Sequence, residues 1–336
     1  MNPRKFILIA IVPALLALVA AGCGGTSDSG GGSGGKVALV AYSTPKEAYA
    51  GVIPAFQKTS QGKDVGFSQS YGASGDQERA VESGLPADVV ALSLALDVNK
   101  LVKKGLVAQD WNKGKYGGFV TNSVVVFAVR KGNPKNIKTW DDLTKPGVQV
   151  LEPNPFTSGG AKWNVMAAYG AQIEQGKTPA QALDYLKALF KNVVVQDKSA
   201  REALQTFSAG KGDVLLAYEN EAIAAQQKGE DVDYVVPDET ILIQNPIAVT
   251  KDARKPDAAK AFLDFVRTPE AQKIFVSKGY RPVVASANDP SKFPDPPGLF
   301  KIDKFGGWSK VNDEFFDPDK GKVAAIEEDL GVSTSK

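Results

Sequence analysis

From Lys36 onward, short apolar runs alternate with longer stretches whose apolar residues recur every three to four positions. That pattern marks strands alternating with helices, so an α/β chain with largely parallel sheets is expected. Val37–Tyr42, Val65–Ser70 and Asp88–Ser93 read as strands, and Asn122–Val129 (Asn-Ser-Val-Val-Val-Phe-Ala-Val) as a long buried one. Val148–Leu151, Val193–Val195, Asp213–Ala217 and Ile247–Thr250 continue the series. Helices are expected from Thr44-Pro45-Lys46-Glu47 onward, with Thr44 as N-cap, Pro45 at the first helical position and Glu47 completing a capping box. Further helices fall over Gly75–Ser83, Thr178–Phe190, Ser199–Ser208 and Glu219–Lys228, with two more inside Pro256–Lys278 separated near Thr268-Pro269. From Pro282 the chain is rich in Pro, Asp and Gly and is expected to wrap the surface. No internal repeat is present.

The first residues follow another logic. Arg4 and Lys5 precede the apolar stretch Phe6–Ala21, which Pro13 interrupts, and Ala20-Ala21-Gly22 lead to Cys23. A basic start, a short apolar segment and small residues before a cysteine form an export signal, expected as residues 1–22, with lipidation at Cys23. Gly24–Gly35 contains little but Gly, Ser and Thr and reads as a flexible tether within residues 23–35, with a reach of about 20 Å. The expected location is the outer face of the cytoplasmic membrane.

With 336 residues the chain is long enough for two domains, and 43% hydrophobic against 23% charged residues is ordinary for a globular core. Arg4 and Lys5 are the only charges before Cys23, so their removal leaves 38 basic residues against 38 acidic ones. A balanced chain gives no electrostatic footprint for nucleic acid. There is no histidine, and Cys23 is the one cysteine. Thiol metal sites, disulfides and histidine-based acid–base chemistry are therefore excluded from the folded part, and neither metal nor cofactor is expected.

Three strand-to-helix turns carry the chemistry that remains. Residues 153–164, Pro-Asn-Pro-Phe-Thr-Ser-Gly-Gly-Ala-Lys-Trp-Asn, deliver Ser158-Gly159-Gly160 to a helix start. A helix N-terminus has unpaired N–H groups and roughly half a positive charge, and glycines let an anion approach the backbone without meeting a Cβ. Ser74-Gly75-Asp76-Gln77 follows another strand and Ser199-Ala200-Arg201-Glu202 a third, each with capping-box spacing. Such boxes are common, and Thr178-Pro179-Ala180-Gln181 is one with no ligand in prospect. Three turns at the carboxyl ends of strands could nonetheless surround an oxyanion with donors and no counter-charge. A Ser74 or Ser158 nucleophile would have no histidine base. Ser60-Gln61-Gly62-Lys63 and Ser208-Ala209-Gly210-Lys211 lack the companion motifs of penicillin-binding enzymes. The chemistry points to holding an anion and not to an enzyme; a hydrolase, or a structural lipoprotein without ligand, are the rival classes.

The same motifs resemble those of the sulfate-binding proteins that serve bacterial ABC importers. The segments that carry the likeness are Ala87–Leu92, Val129–Lys135, Pro153–Asn164, Ala188–Val193, Gly212–Ala217, Glu219–Ala222, Tyr280–Pro282 and Phe305–Trp308, together with Ser74, Gly75 and Gln77. The likeness runs from about Val37 to Phe316, and the Pro-Asn-Pro, Ser-Gly-Gly and Trp-Asn elements are specific to sulfate- and thiosulfate-type binders. It implies a two-lobed type II periplasmic-binding-protein fold with two crossover strands at the hinge, near Tyr116–Asn122 and Gln244–Pro246. Residues 36–119 and 246–310 would form lobe 1, residues 120–245 lobe 2 and residues 311–336 a tail. The implied ligand donors fall on Ser43, Ser74, Ser158, Gly159, Gly160, Ala200 and Tyr218, with Arg201 behind them. The implied partners are sulfate or thiosulfate, a membrane permease and ATPase subunits, for a monomeric receptor. Two positions depart from the family: Ser43 stands where Asp is frequent, and Tyr218 where Trp is frequent. An indole N–H only donates, whereas a tyrosine hydroxyl also accepts, so a receptor for molybdate, tungstate or phosphate is the alternative.

Overall fold

The computed structural model describes residues 34–331; the expected signal segment and Cys23 lie outside them. The chain opens with β1 (Gly34–Tyr42), α1 (Lys46–Gln57), β2 (Val65–Gly72), α2 (Ser74–Glu82), β3 (Val89–Ala91) and α3 (Ala95–Lys103). β4 (Phe119–Arg130) then leads into β5 (Val150–Leu151), α4 (Gly159–Glu174), α5 (Pro179–Lys191), β6 (Val193–Val195), α6 (Ala200–Ser208), β7 (Val214–Tyr218), α7 (Glu219–Gln227) and β8 (Val232–Val235). β9 (Glu239–Val249) returns to α8 (Pro256–Phe265), α9 (Pro269–Ser277) and β10 (Arg281–Pro282), and β11 (Gly298–Phe300), α10 (Gly307–Phe315) and α11 (Lys322–Asp329) close the chain.

The strand order β2-β1-β3-β9-β4-β7-β5-β6 divides the molecule into two lobes. In one half β1 pairs in parallel with β2 and β3; in the other β5 pairs in parallel with β6 and β7. β4 and β9 are the antiparallel crossover strands. β9 pairs with β3 through Ile247–Val249 and with β4 through Leu242–Pro246, while β4 goes on to pair with β7 through Val125–Val129. This is the two-lobed α/β architecture expected from the sequence.

β4 shows why such strands form. Side chains alternate across a strand, and here both faces are covered: Val125, Phe127 and Val129 enter one core, Val124, Val126 and Ala128 another. The first lobe builds its core on Val37, Leu39 and Ala41 of β1 against Phe56, Phe67, Phe262 and Phe275.

Several local expectations meet a different outcome. β1 starts at Gly34, so the last two residues assigned to the tether are strand. The capping box at Thr44–Glu47 does not form, because Thr44 bonds the Tyr280 hydroxyl at 3.1 Å and Glu47 turns to Arg201. Nor does the box at Ser74–Gln77: Ser74 lies inside the helix, and Gln77 accepts from the Ser70 hydroxyl. At Ser199 the serine half is present, with its Oγ accepting from the Glu202 N–H, and Thr178–Gln181 closes a full box. The segment after Pro282 does more than wrap the surface. Phe300, Trp308, Phe315, Phe316, Val323 and Ile326 are buried with Trp140, Phe190 and Met166 of the second lobe.

Candidate functional site

Four helices start at the junction of the lobes. Asn154 sets the first: its side chain accepts from the Phe156 N–H and its carbonyl from the Ser158 N–H, both at 2.8 Å. This turn places Ser158 as N-cap of α4, where its Oγ accepts from the Ala161 N–H. Gly159 and Gly160 are the first two helical residues, and N–H groups there have no intrahelical acceptor. Ser199 holds Ala200 at the start of α6 in the same way. Ser74 begins α2, and Tyr218 sits at the N-terminal boundary of α7.

Ser43, Ser74, Ser158, Gly159, Gly160, Ala200 and Tyr218, read from separate parts of the sequence, line one cavity of about 10 Å³. Tyr42, Thr44, Ala73, Ser93 and Ser199 complete its wall. None of the twelve carries a formal charge at neutral pH. The space is room for about one water molecule, far below the several hundred Å³ of pockets for organic ligands. The walls are close: a Cβ built on Gly160 would stand 3.2 Å from Ala200 Cβ, and one on Gly159 would stand 2.7 Å from Ser93 Cβ.

The hydroxyl groups divide their work. Ser74 Oγ donates to Asp97 at 2.7 Å and accepts from the Ser93 N–H at 2.9 Å, which leaves its helix-terminal N–H as its donor for a ligand. Ser158 spends one lone pair on its own helix and keeps its proton. The Tyr218 hydroxyl stands 2.7 Å from Ser93 Oγ, and burial pushes its pKa well above the usual tyrosine value, so it stays a neutral hydroxyl. Ser93 was not among the residues singled out from the sequence. The signal for it was its place at the carboxyl end of a parallel strand.

Cross-lobe bonds hold the cavity shut. The Trp163 indole N–H donates to Ser93 O at 3.1 Å, and the Gly75 N–H to Thr157 O at 3.2 Å. Arg201, directly after Ala200, lies behind the wall. It donates to Glu47 and to Glu221 at 2.8 Å each, and to Thr44 O at 3.0 Å. Burial raises the Glu221 pKa against the pull of Arg201. Glu47 is more exposed; burial opposes its ionisation, yet Arg201 and Lys228 hold it down at about 2.

This fold, with a charge-free anion cavity between two lobes, defines a solute receptor. The family model for bacterial extracellular solute-binding proteins matches residues 37–281, and the chain belongs to that family. Among its relatives, the sulfate-binding protein of Synechococcus elongatus is 44% identical over 93% of each chain. The thiosulfate-binding protein of Pseudomonas aeruginosa is 35% identical over 82% of this chain and 88% of its own. The solved structure of the sulfate-binding protein SubI from Mycobacterium tuberculosis superposes with a TM-score of 0.82 at 43% identity, covering 84% of this chain and 99% of that one.

Proposed function

We propose that the chain is the sulfate-capturing receptor of an ABC importer, binding the ion without transforming it. The observation that carries this reading is the lining of the cavity: N-termini of separate helices converge on it, and no cation or carboxylate faces it. Aligned peptide dipoles stabilise a dianion there, and the strongest acceptor for a ligand's proton, a carboxylate, is missing from the wall. Gly159, Gly160 and Ala200 supply backbone N–H groups, Ser43 and Ser74 further ones, and Ser158 and Tyr218 hydroxyl protons. Arg201 supports the Ala200 turn from behind. Lobe closure excludes water and strengthens each bond.

Thiosulfate, as a tetrahedral dianion, fits the same donors, in keeping with the thiosulfate-binding relatives. Export and lipidation at Cys23 rest on the signal in residues 1–23, with the Gly-rich segment as spacer to the lobes. The closed form would be presented to a membrane permease and its ATPase subunits by a monomeric receptor. Calorimetric titration of the dialysed domain with sulfate, followed by phosphate and molybdate as competitors, tests the reading. Tight 1:1 sulfate binding that Ser158→Asp abolishes is the expected result. No sulfate heat in the parent protein would overturn it.

A further inference from the structure

We propose that Ser93 is a specificity-determining residue of the anion site: paired with Tyr218, its oxygen stays open to accept and lets the cavity also hold tetrahedral oxyanions carrying a proton. The inference rests on the oxyanion-receptor reading above and concerns what that receptor admits.

Ser93 Oγ and the Tyr218 hydroxyl lie 2.7 Å apart, and either can donate to the other. Both line the cavity, Ser93 fully buried and Tyr218 nearly so. They come from opposite lobes, so the pair is assembled only on closure. Asn245 accepts at Oδ1 from the Thr121 hydroxyl at 3.2 Å, and its Nδ2 donates to Ser93 O at 3.2 Å.

For a fully ionised anion, Ser93 donates to Tyr218 and Tyr218 donates to the anion. For an anion bearing one proton a closed ring forms: the anion O–H donates to Ser93 Oγ, Ser93 to Tyr218, and Tyr218 to another anion oxygen. Each hydroxyl then both donates and accepts, and the ligand's proton is satisfied. A buried O–H without an acceptor costs far more than a satisfied one gains. Of the other lining serines, Ser74, Ser158 and Ser199 each already accept a backbone N–H, and Ser43 is the competing acceptor in the wall, for which S43A is the control. Ser93 pairs instead with another hydroxyl of the cavity wall, that of Tyr218.

The test uses two size-matched ligand pairs at neutral pH. Sulfate and selenate carry no proton; phosphate and arsenate carry at least one. Wild type, S93A and Y218F are titrated with all four, and thermal melts of the ligand-free proteins verify folding. S93A should lose phosphate and arsenate affinity by about tenfold more than it loses sulfate and selenate affinity. Y218F should weaken all four, because tyrosine donates in both arrangements. S93C replaces the hydroxyl by a larger and poorer acceptor and should lower phosphate and arsenate affinity more than sulfate and selenate affinity, a readout that stands if S93A folds poorly. Sulfate binding by wild type with no phosphate or arsenate affinity at millimolar concentration overturns the inference alone, as does an equal loss of all four in S93A. Phosphate binding that depends on Ser93 without sulfate binding would sink the sulfate reading and leave the inference standing. Binding of none would remove both.

Discussion

Arg201 of the second lobe donates to Glu47 of the first at 2.8 Å, one residue after Ala200 of the cavity wall. The same guanidinium grips buried Glu221 and the Thr44 carbonyl, and Lys228 adds a second cross-lobe contact to Glu47. The proposed capture of the anion at Ala200 and the cross-lobe bond of Arg201 would therefore draw on adjacent residues of one helix start.

Glu47→Gln separates this contact from the fold. The substitution keeps the Arg201–Glu221 pair, so no buried carboxylate is left alone, while the charge that favours closure is lost. A partly exposed pair contributes about 1 kcal/mol, which makes the expected loss of sulfate affinity about fivefold with little change in ligand-free melting. Arg201→Ala strands buried Glu221 and should lower the melting temperature as well. Calorimetry with paired melts reads both; equal melting loss in the two variants would contradict a closure role for Glu47.

Gly159 offers a sharper dissection. Alanine at the start of α4 is a better helix former than glycine, so ligand-free stability should hold. In the closed form its Cβ would stand 2.7 Å from Ser93 Cβ and Oγ and 3.1 Å from Ser74 Cβ, all in the opposite lobe. Overpacking on this scale costs about 1–3 kcal/mol, and sulfate affinity of Gly159→Ala should fall about tenfold to a hundredfold. Unchanged affinity would mean that the lobes do not close this tightly around the ion.

What was legible in the chain and what was not divide along physical lines. β4 was readable because a strand covered on both faces is a continuous apolar run, and the Ser-Gly-Gly turn because backbone anion binding needs small residues in order. The first part of β9 was missed, since Asn245-Pro246 interrupts its pattern at the crossover, where Pro246 pairs with Phe119. α10 and α11 sit in a segment whose Pro, Asp and Gly content masks them, though Trp308 and Phe316 anchor it in the second core. The capping boxes at Thr44 and Ser74 were local readings overruled by partners distant in sequence: Tyr280 and Arg201 for one, Asp97 and Ser93 for the other. Ser93 bore no motif at all; its role exists only once Tyr218 arrives from the other lobe.

Glu327 of α11 gives the fold a pH dependence. It is fully buried, and burial lifts its pKa to about 7 against a hydrogen bond from Gln196; nearby Glu152 is raised further by its own burial. The folded state therefore prefers protonated Glu327. That stability is fully present below about pH 4.5, the ordinary carboxyl value, and is lost as pH rises through about 7. At most about 3 kcal/mol is involved, on the order of 5 °C in melting temperature. Melting should decline from pH 5 to pH 8, and Glu327→Gln should flatten that slope. A slope identical in the variant would place the titration elsewhere. Glu47 runs the opposite way: its contribution is present above about pH 4.5 and disappears as pH falls toward 2.

Trp163 should report closure optically. Its ring is buried edge-on to Trp308 at 4.5 Å, and its N–H reaches across the lobes to Ser93 O at 3.1 Å. Opening the cleft breaks that bond and admits water to the indole, so sulfate added to the open protein should shift the emission to shorter wavelength. Trp163→Phe should remove most of the change and, by losing one cross-lobe hydrogen bond of about 1 kcal/mol, weaken sulfate binding about fivefold. Trp111, whose N–H is bonded to Asn99 within the first lobe, supplies the control: Trp111→Phe should keep the full response. A sulfate-induced shift that survives in Trp163→Phe and vanishes in Trp111→Phe would place the conformational change in the first lobe and refute closure at the Ser93–Trp163 contact.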